Sequence, residues 1–326
     1  MFEVEPKIIS FPGLTSRWSA PVRYLLSIWL TLGWLLRERP RVVIVCCPPP
    51  FASALVAIYA RLHDASFILD AHPGAFGHRD KVWNLFVPLQ KALVIRATAT
   101  MVTEPVLGAE VQQWGGRPLI FHEAPPPLPP PRPRQALAAR PKVVFATIFD
   151  PDEPLDVITD AASNLAECDV AITGDVSRLD QEYRRRLLAE PHVQLTGWLD
   201  QQDYLALIVS ADLVVALTRD PHSVMRSAFE AIYLERPTVL SDTDTLRASF
   251  SPSVFVDGSS DGVVSGVRTV LAEYDQWVAQ AGTRHEILID RWESQREALK
   301  AAISEAERSS SKEAYLPRPV QRWFRR

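Results

Sequence analysis

LVVALTRDPHSVMRSAFEAIYLERPTVLSD, residues Leu213–Asp242, is the stretch on which the reading of this chain turns. Leu213 to Leu217 is a short, wholly apolar run, the pattern of a strand buried on both faces. Thr218-Arg219-Asp220-Pro221-His222 reads as a turn, and a helix beginning near Ser223 carries Glu230 before Arg236-Pro237 closes it. Thr238 to Leu240 is a second β-branched run, so the segment reads as a crossover joining two parallel strands. In such a unit the helix's free N–H groups and positive dipole end sit at the carboxyl end of the first strand, where a diphosphate is stabilised. Ser223, Val224, Met225 and Arg226 are expected in that first turn, with Arg219 just before it. Glu230 then lies roughly 12 Å along the axis from His222, about the separation of a diphosphate from a ribose, and its carboxylate can accept both ribose hydroxyl protons.

The same alternation extends in both directions. Strands are expected at Val42 to Cys46, Phe67 to Asp70, Thr100 to Thr103 and Leu119 to Phe121, then at Val143 to Thr147, Val170 to Thr173, Val193 to Leu195 and Val254 to Val256. Between the two series lies Ala124 to Arg134, which is almost entirely proline and so forms neither helix nor strand. The spacing predicts an N-terminal Rossmann-like domain over residues 1–123, a proline-rich linker over 124–140 and a second Rossmann-like domain over 141–289. A charged helix from about Asp290 to Glu307 and a basic tail, together residues 290–326, are expected to pack back on the first domain. The fold class is therefore α/β, with two Rossmann-like domains facing each other across a cleft.

With 326 residues, 47% of them apolar, the chain has material for two cores. A net charge of −4 supplies no basic field for a nucleic-acid backbone. Cys46, Cys47 and Cys168 are spaced neither as a disulfide framework nor as a metal site, which fits a reducing, cytoplasmic setting. No signal-peptide pattern opens the chain. Tyr24 to Leu36 is apolar but shorter than the roughly 20 residues that span a bilayer, and it reads first as a buried helix. Its flanking arginines, Arg17, Arg23, Arg37, Arg39 and Arg41, would suit a helix lying on the inner face of the cell membrane.

The run from His222 to Pro237 resembles the nucleotide-sugar site of the family-four retaining glycosyltransferases, which have the GT-B fold. Their hallmark is two glutamates eight positions apart, followed by E-A-x-x-x-G-x-P. The resemblance puts Glu230 on the donor ribose and His222 in place of the first glutamate, beside the transferred sugar. Thr196-Gly197-Trp198-Leu199 is similar to the family's base-touching turn, and Gly174 matches its strand-end glycine. Thr147 and Glu153 stand where the family places an arginine and a lysine against the diphosphate, leaving Arg226 and Arg219 as the available cations. In the first half, Asp70-Ala-His72 matches an acceptor-side position that is commonly histidine, with Asp70 orienting His72. The family's opening strand and glycine-rich loop have no counterpart, so the N-terminal domain is expected to lack its first strand.

The resemblance implies transfer of a hexose from a nucleoside diphosphate sugar, with retention. The Tyr24 to Leu36 helix with its arginine flanks points to a lipid-linked or cell-envelope glycan as the acceptor, as in polysaccharide biosynthesis. Asp150-Pro-Asp152 and Asp242-Thr-Asp244 match a D-x-D pattern, but acidic turns are common and no metal or other cofactor is expected at the donor. A non-catalytic sugar-nucleotide sensor and a sugar-nucleotide epimerase are the alternatives.

Overall fold

The computed structural model describes residue 9 and residues 19–77, 84–127, 137, 139–221 and 223–313. The expected basic tail, the body of the proline-rich linker and the chain's opening, where a first strand was expected to be lacking, lie outside these residues, as does His222. The chain divides into two compact units, one of residues 1–122 with 294–326 and the other of residues 123–293.

In the first unit four parallel strands, β1 (Val42–Cys47), β2 (Ser66–Ala71), β3 (Ala99–Val102) and β4 (Pro118–Ile120), lie in sequential order. Strand side chains alternate between faces, and Val43, Cys47, Phe67, Leu69, Ala71 and Val102 turn to one side. There they meet α1 (Ala20–Glu38), α2 (Pro50–His63), α3 (Val87–Arg96) and α4 (Pro105–Gln113) through Leu35, Val56, Tyr59, Leu93 and Val111. Ile68 and Met101 turn to the other side and pack on Leu299 and Ala302 from the far half of the last helix. The Ser66 hydroxyl donates to the Ala306 carbonyl at 3.1 Å, tying that half down.

The second unit holds six parallel strands in the order β10-β9-β8-β5-β6-β7. They are β5 (Lys142–Phe145), β6 (Asp169–Thr173), β7 (Val193–Gly197), β8 (Leu213–Ala216), β9 (Thr238–Ser241) and β10 (Val254–Val256). Starting at β5 the chain winds outward to β7, returns to pair β8 against β5 and winds the other way. This is the doubly wound order of a dinucleotide-binding sheet, with its switch point between β5 and β8. Val143, Phe145, Ile172 and Val215 pack under α5 (Leu155–Ser163), α6 (Gln181–Ala189) and α10 (Ser260–Ala272). Val144, Ala171 and Val214 pack on the opposite face with α7 (Gln201–Ser210) and α8 (Arg226–Tyr233). Helix α9 (Asp244–Phe250) adds Leu246 and Phe250 beside α8.

The last helix, α11, runs from Tyr274 to Glu313, well before the expected start at Asp290. Residues 274–290 contain no proline, and the one glycine, Gly282, costs a helix interior only about 1 kcal/mol.

Candidate functional site

In open α/β sheets ligands bind beyond the carboxyl ends of the strands at the switch point, which here means the loops after β5 and β8. The two loops are sewn together. The Thr218 hydroxyl donates to Asp152 at 3.0 Å, the Arg219 amide donates to the Asp152 carbonyl at 2.7 Å, and the Thr218 amide donates to Ser241 Oγ at 2.9 Å.

Helix α8 begins at Arg226, three residues later than expected. Ser223, Val224 and Met225 precede it, because Asp220 and Pro221 open a turn closed by the Ser223 amide donating to the Asp220 carbonyl at 3.2 Å. Met225, with extended backbone, is the N-cap and offers no side-chain cap. Met225 therefore leaves the first N–H groups of α8, at the strand's carboxyl end, without a cap from its own side chain. Only Arg226 of the four expected residues is in the first turn.

Glu230 is 8% exposed and lies one turn beyond Arg226, not two turns into the helix as expected. Arg226 Nε donates to its Oε1 at 2.9 Å, and the Tyr204 phenol is close enough to the same carboxylate to stabilise its charge. Burial raises the Glu230 pKa above the ordinary carboxylate range, and Arg226 and Tyr204 oppose that rise without cancelling it. Tyr204 is itself pushed up, by burial first and then by the Glu230 charge. Arg226 is 61% exposed at its side chain and also approaches Glu123 at 4.0 Å. Tyr204 and Glu123 escaped the sequence reading as members of this cluster, since neither sits in a motif with Glu230.

The other expected donor residues divide. Trp198, at the end of β7, is 72% exposed and presents a free aromatic surface, with Leu199 half-buried beside it. Arg219 is turned onto Asp156 at 2.5 Å. Thr147 is buried and consumed by its neighbour strand: its amide donates to Thr173 Oγ1 and its hydroxyl to the Thr173 carbonyl. Glu153 folds back on its own loop, accepting from the Ile148 amide at 3.1 Å and the Asp150 amide at 3.1 Å. Burial pushes its pKa up while those amides pull it down. Its carboxylate fills the nest of N–H groups that an external anion would use. Gly174, at φ +125°, packs against the Phe149 ring: a Cβ there would fall 2.8 Å from two ring carbons. The glycine is thus explained by Phe149 without a ligand.

In the first unit Asp70 and His72 sit at the end of β2. His72 Nε2 is 3.7 Å from Asp70 Oδ2, longer than a hydrogen bond, and the Cys46 thiol donates to that same oxygen at 3.2 Å. Partial burial and then the Asp70 charge push the Cys46 thiol up to about 12. Cys46 was not expected here, because only strand register brings it beside Asp70.

No protein-family model matches the sequence, and no curated protein matches it either. Solved structures do. A glycosyltransferase from Rickettsia africae superposes with a TM-score of 0.67 at 11% identity, over 90% of this chain and 83% of that one. Anabaena HepE, solved with UDP and glucose, gives 0.66 at 12% identity over 90% and 84%. Sucrose-phosphate synthase from Thermosynechococcus elongatus gives 0.65 at 15% identity over 89% and 79%. The fold is that of the GT-B glycosyltransferases. At these identities the likeness concerns the path of the backbone, and the roles of individual side chains rest on the geometry above.

Proposed function

We propose that the chain is a glycosyltransferase that moves a hexose from a nucleoside diphosphate sugar, with retention, to a lipid-linked or cell-envelope glycan at the inner face of the membrane. The observation that carries this reading is Glu230: a buried carboxylate, held by Arg226 and Tyr204, one turn from an uncapped helix N-terminus at the switch point of a dinucleotide-type sheet. In this reading Glu230 accepts the ribose hydroxyl protons and Trp198 stacks on the base. Arg226 and the α8 N–H groups meet the charge that develops on the leaving diphosphate, without a metal or further cofactor. The departing phosphate oxygen takes the acceptor proton, so the protein's work is positioning and charge stabilisation. Asp70 and His72 serve the acceptor side.

Membrane contact is supported by α1. Val22, Leu25, Leu26, Trp29 and Leu30 recur at helical spacing and all are exposed, from 41% for Leu26 to 71% for Trp29, contrary to the expected buried helix. Among the described residues no helix is long and apolar enough to cross a membrane, so an α1 that engages lipid would lie along its surface.

A second reading, a sugar-nucleotide sensor without turnover, is favoured by one observation: Thr147 and Glu153, standing at the positions expected to be basic, are locked in internal hydrogen bonds. A thermal-shift screen over nucleoside diphosphate sugars, followed by transfer and hydrolysis assays with the sugar that stabilises most, separates the two. Stabilisation with turnover supports the transferase, and stabilisation without turnover supports the sensor. No stabilisation by any sugar nucleotide sinks both.

A further inference from the structure

Cys46, Asp70 and His72 bring together three different kinds of metal-ligating atom in the first unit. Cys46 and Asp70 are register partners on parallel strands β1 and β2, so their side chains stand beside each other on one face of the sheet. His72, two residues beyond Asp70, falls on that face by the strand period, and its amide donates to the Cys47 carbonyl at 2.9 Å, extending the ladder. Cys47 and Ala71, the alternate residues, are buried in the core opposite, which fixes the orientation of the three.

The separations fit a tetrahedral ion. Bond lengths of about 2.0 to 2.3 Å from zinc to nitrogen, oxygen and sulfur place neighbouring ligand atoms about 3.3 to 3.6 Å apart. Sulfur to carboxylate oxygen is 3.2 Å and imidazole nitrogen to the same oxygen is 3.7 Å, each within about half an ångström of that range. All three ligand atoms lie within 4.8 Å of one another. A thiolate and a carboxylate also balance a divalent charge, leaving the imidazole neutral.

We propose that these residues bind one divalent cation of the borderline-soft kind, zinc above all, with Cys46, Asp70 and His72 as its protein ligands. A thiolate, an imidazole and a carboxylate select zinc over magnesium or calcium, which take oxygen alone. Cys46 is exposed and the His72 side chain is 55% exposed, so the fourth position faces solvent. Three protein ligands with an open position make a site that holds an exchangeable oxygen ligand, unlike the closed four-ligand sites that only staple a fold. The site is separate from the donor cluster in the second unit and stands whether or not the chain transfers sugar; with the ion bound, Asp70 and His72 would reach an acceptor through its open position and not directly.

The test is titration of the reduced, chelator-stripped full chain with Co²⁺. The expected result is one Co²⁺ per chain with a thiolate-to-cobalt charge-transfer band, displaced by one equivalent of Zn²⁺. Cys46→Ser abolishes the band. His72→Ala and Asp70→Asn each weaken Co²⁺ binding by at least about tenfold. Cys168→Ser leaves the band intact, since that thiol is buried in the other unit. Absence of a band at saturating Co²⁺, a band that survives Cys46→Ser, or unchanged affinity in His72→Ala would each overturn the proposal. The variants are melted first, and one without a cooperative transition is replaced by Cys46→Ala or His72→Gln.

Discussion

Replacing Glu230 by glutamine separates what this residue does for a ligand from what it does for the fold. The side chain is 10% exposed, so little solvent is present to compensate a lost acceptor. A glutamine keeps one acceptor oxygen but loses the charge, and hydrogen bonds to a charged group contribute about 1.5–3 kcal/mol. Nucleotide affinity should therefore fall roughly 10- to 100-fold in Glu230→Gln. Stability should move the other way. Because burial raises the folded-state pKa of Glu230, the folded chain binds more protons than the unfolded chain between the ordinary carboxylate pKa and the raised one. Wild-type stability consequently falls as pH rises through that window, and the full penalty is present above it. Glutamine carries no such penalty, and the lost ion pair to a 61% exposed Arg226 is worth only about 0–1 kcal/mol. At pH 7 the variant should melt at or above the wild-type temperature, with the gap narrowing as pH drops below the window. Calorimetric titration with UDP, GDP and ADP, beside scanning calorimetry over a pH series, reads both quantities. Equal nucleotide affinity in the two proteins would refute the donor role, and a variant whose relative stability improves toward low pH would refute the electrostatic reasoning.

Trp198→Ala should weaken nucleotide binding by about 1–3 kcal/mol, the usual loss when an aromatic platform for a base is removed, while leaving the melting temperature nearly unchanged because the ring is 72% exposed. Gly174→Ala should destabilise the second unit by about 1–3 kcal/mol, since the new Cβ meets the Phe149 ring at 2.8 Å and the backbone sits at φ +125°; scanning calorimetry detects this, and a variant as stable as wild type would show that Phe149 yields freely. Trp29→Asp should abolish flotation of the full chain with anionic liposomes without lowering its melting temperature, because the 71% exposed ring supports no core. Flotation unaffected by the substitution would remove α1 from the membrane contact.

Local pattern carried the ten strands and failed where a side chain's partner is set by strand register or by the fold of a loop. Every expected strand is present because buried parallel strands must be apolar, and few other arrangements of such runs keep their backbone groups paired. The helix after β8 was legible as a helix, but its start was not, because nothing at Ser223 competes strongly with the turn that Asp220 and Pro221 impose. Cys46 became a site residue only through register with Asp70, a relation no spacing reveals. Glu153 is the most consequential case. Its place in the loop after β5 suggested contact with a donor, yet the loop's own amides take it up, giving that loop an internal anion in place of an external one. Thr147 is likewise taken up internally, its hydroxyl bonded across to Thr173. In the proposed donor site the diphosphate charge then falls on the other side of the switch point, where Arg226 and the start of α8 stand. Since Arg226 already neutralises part of Glu230, a diphosphate and a ribose-bound Glu230 would compete in that site for one guanidinium. Binding of the two ends of a nucleotide should accordingly be coupled through that single side chain.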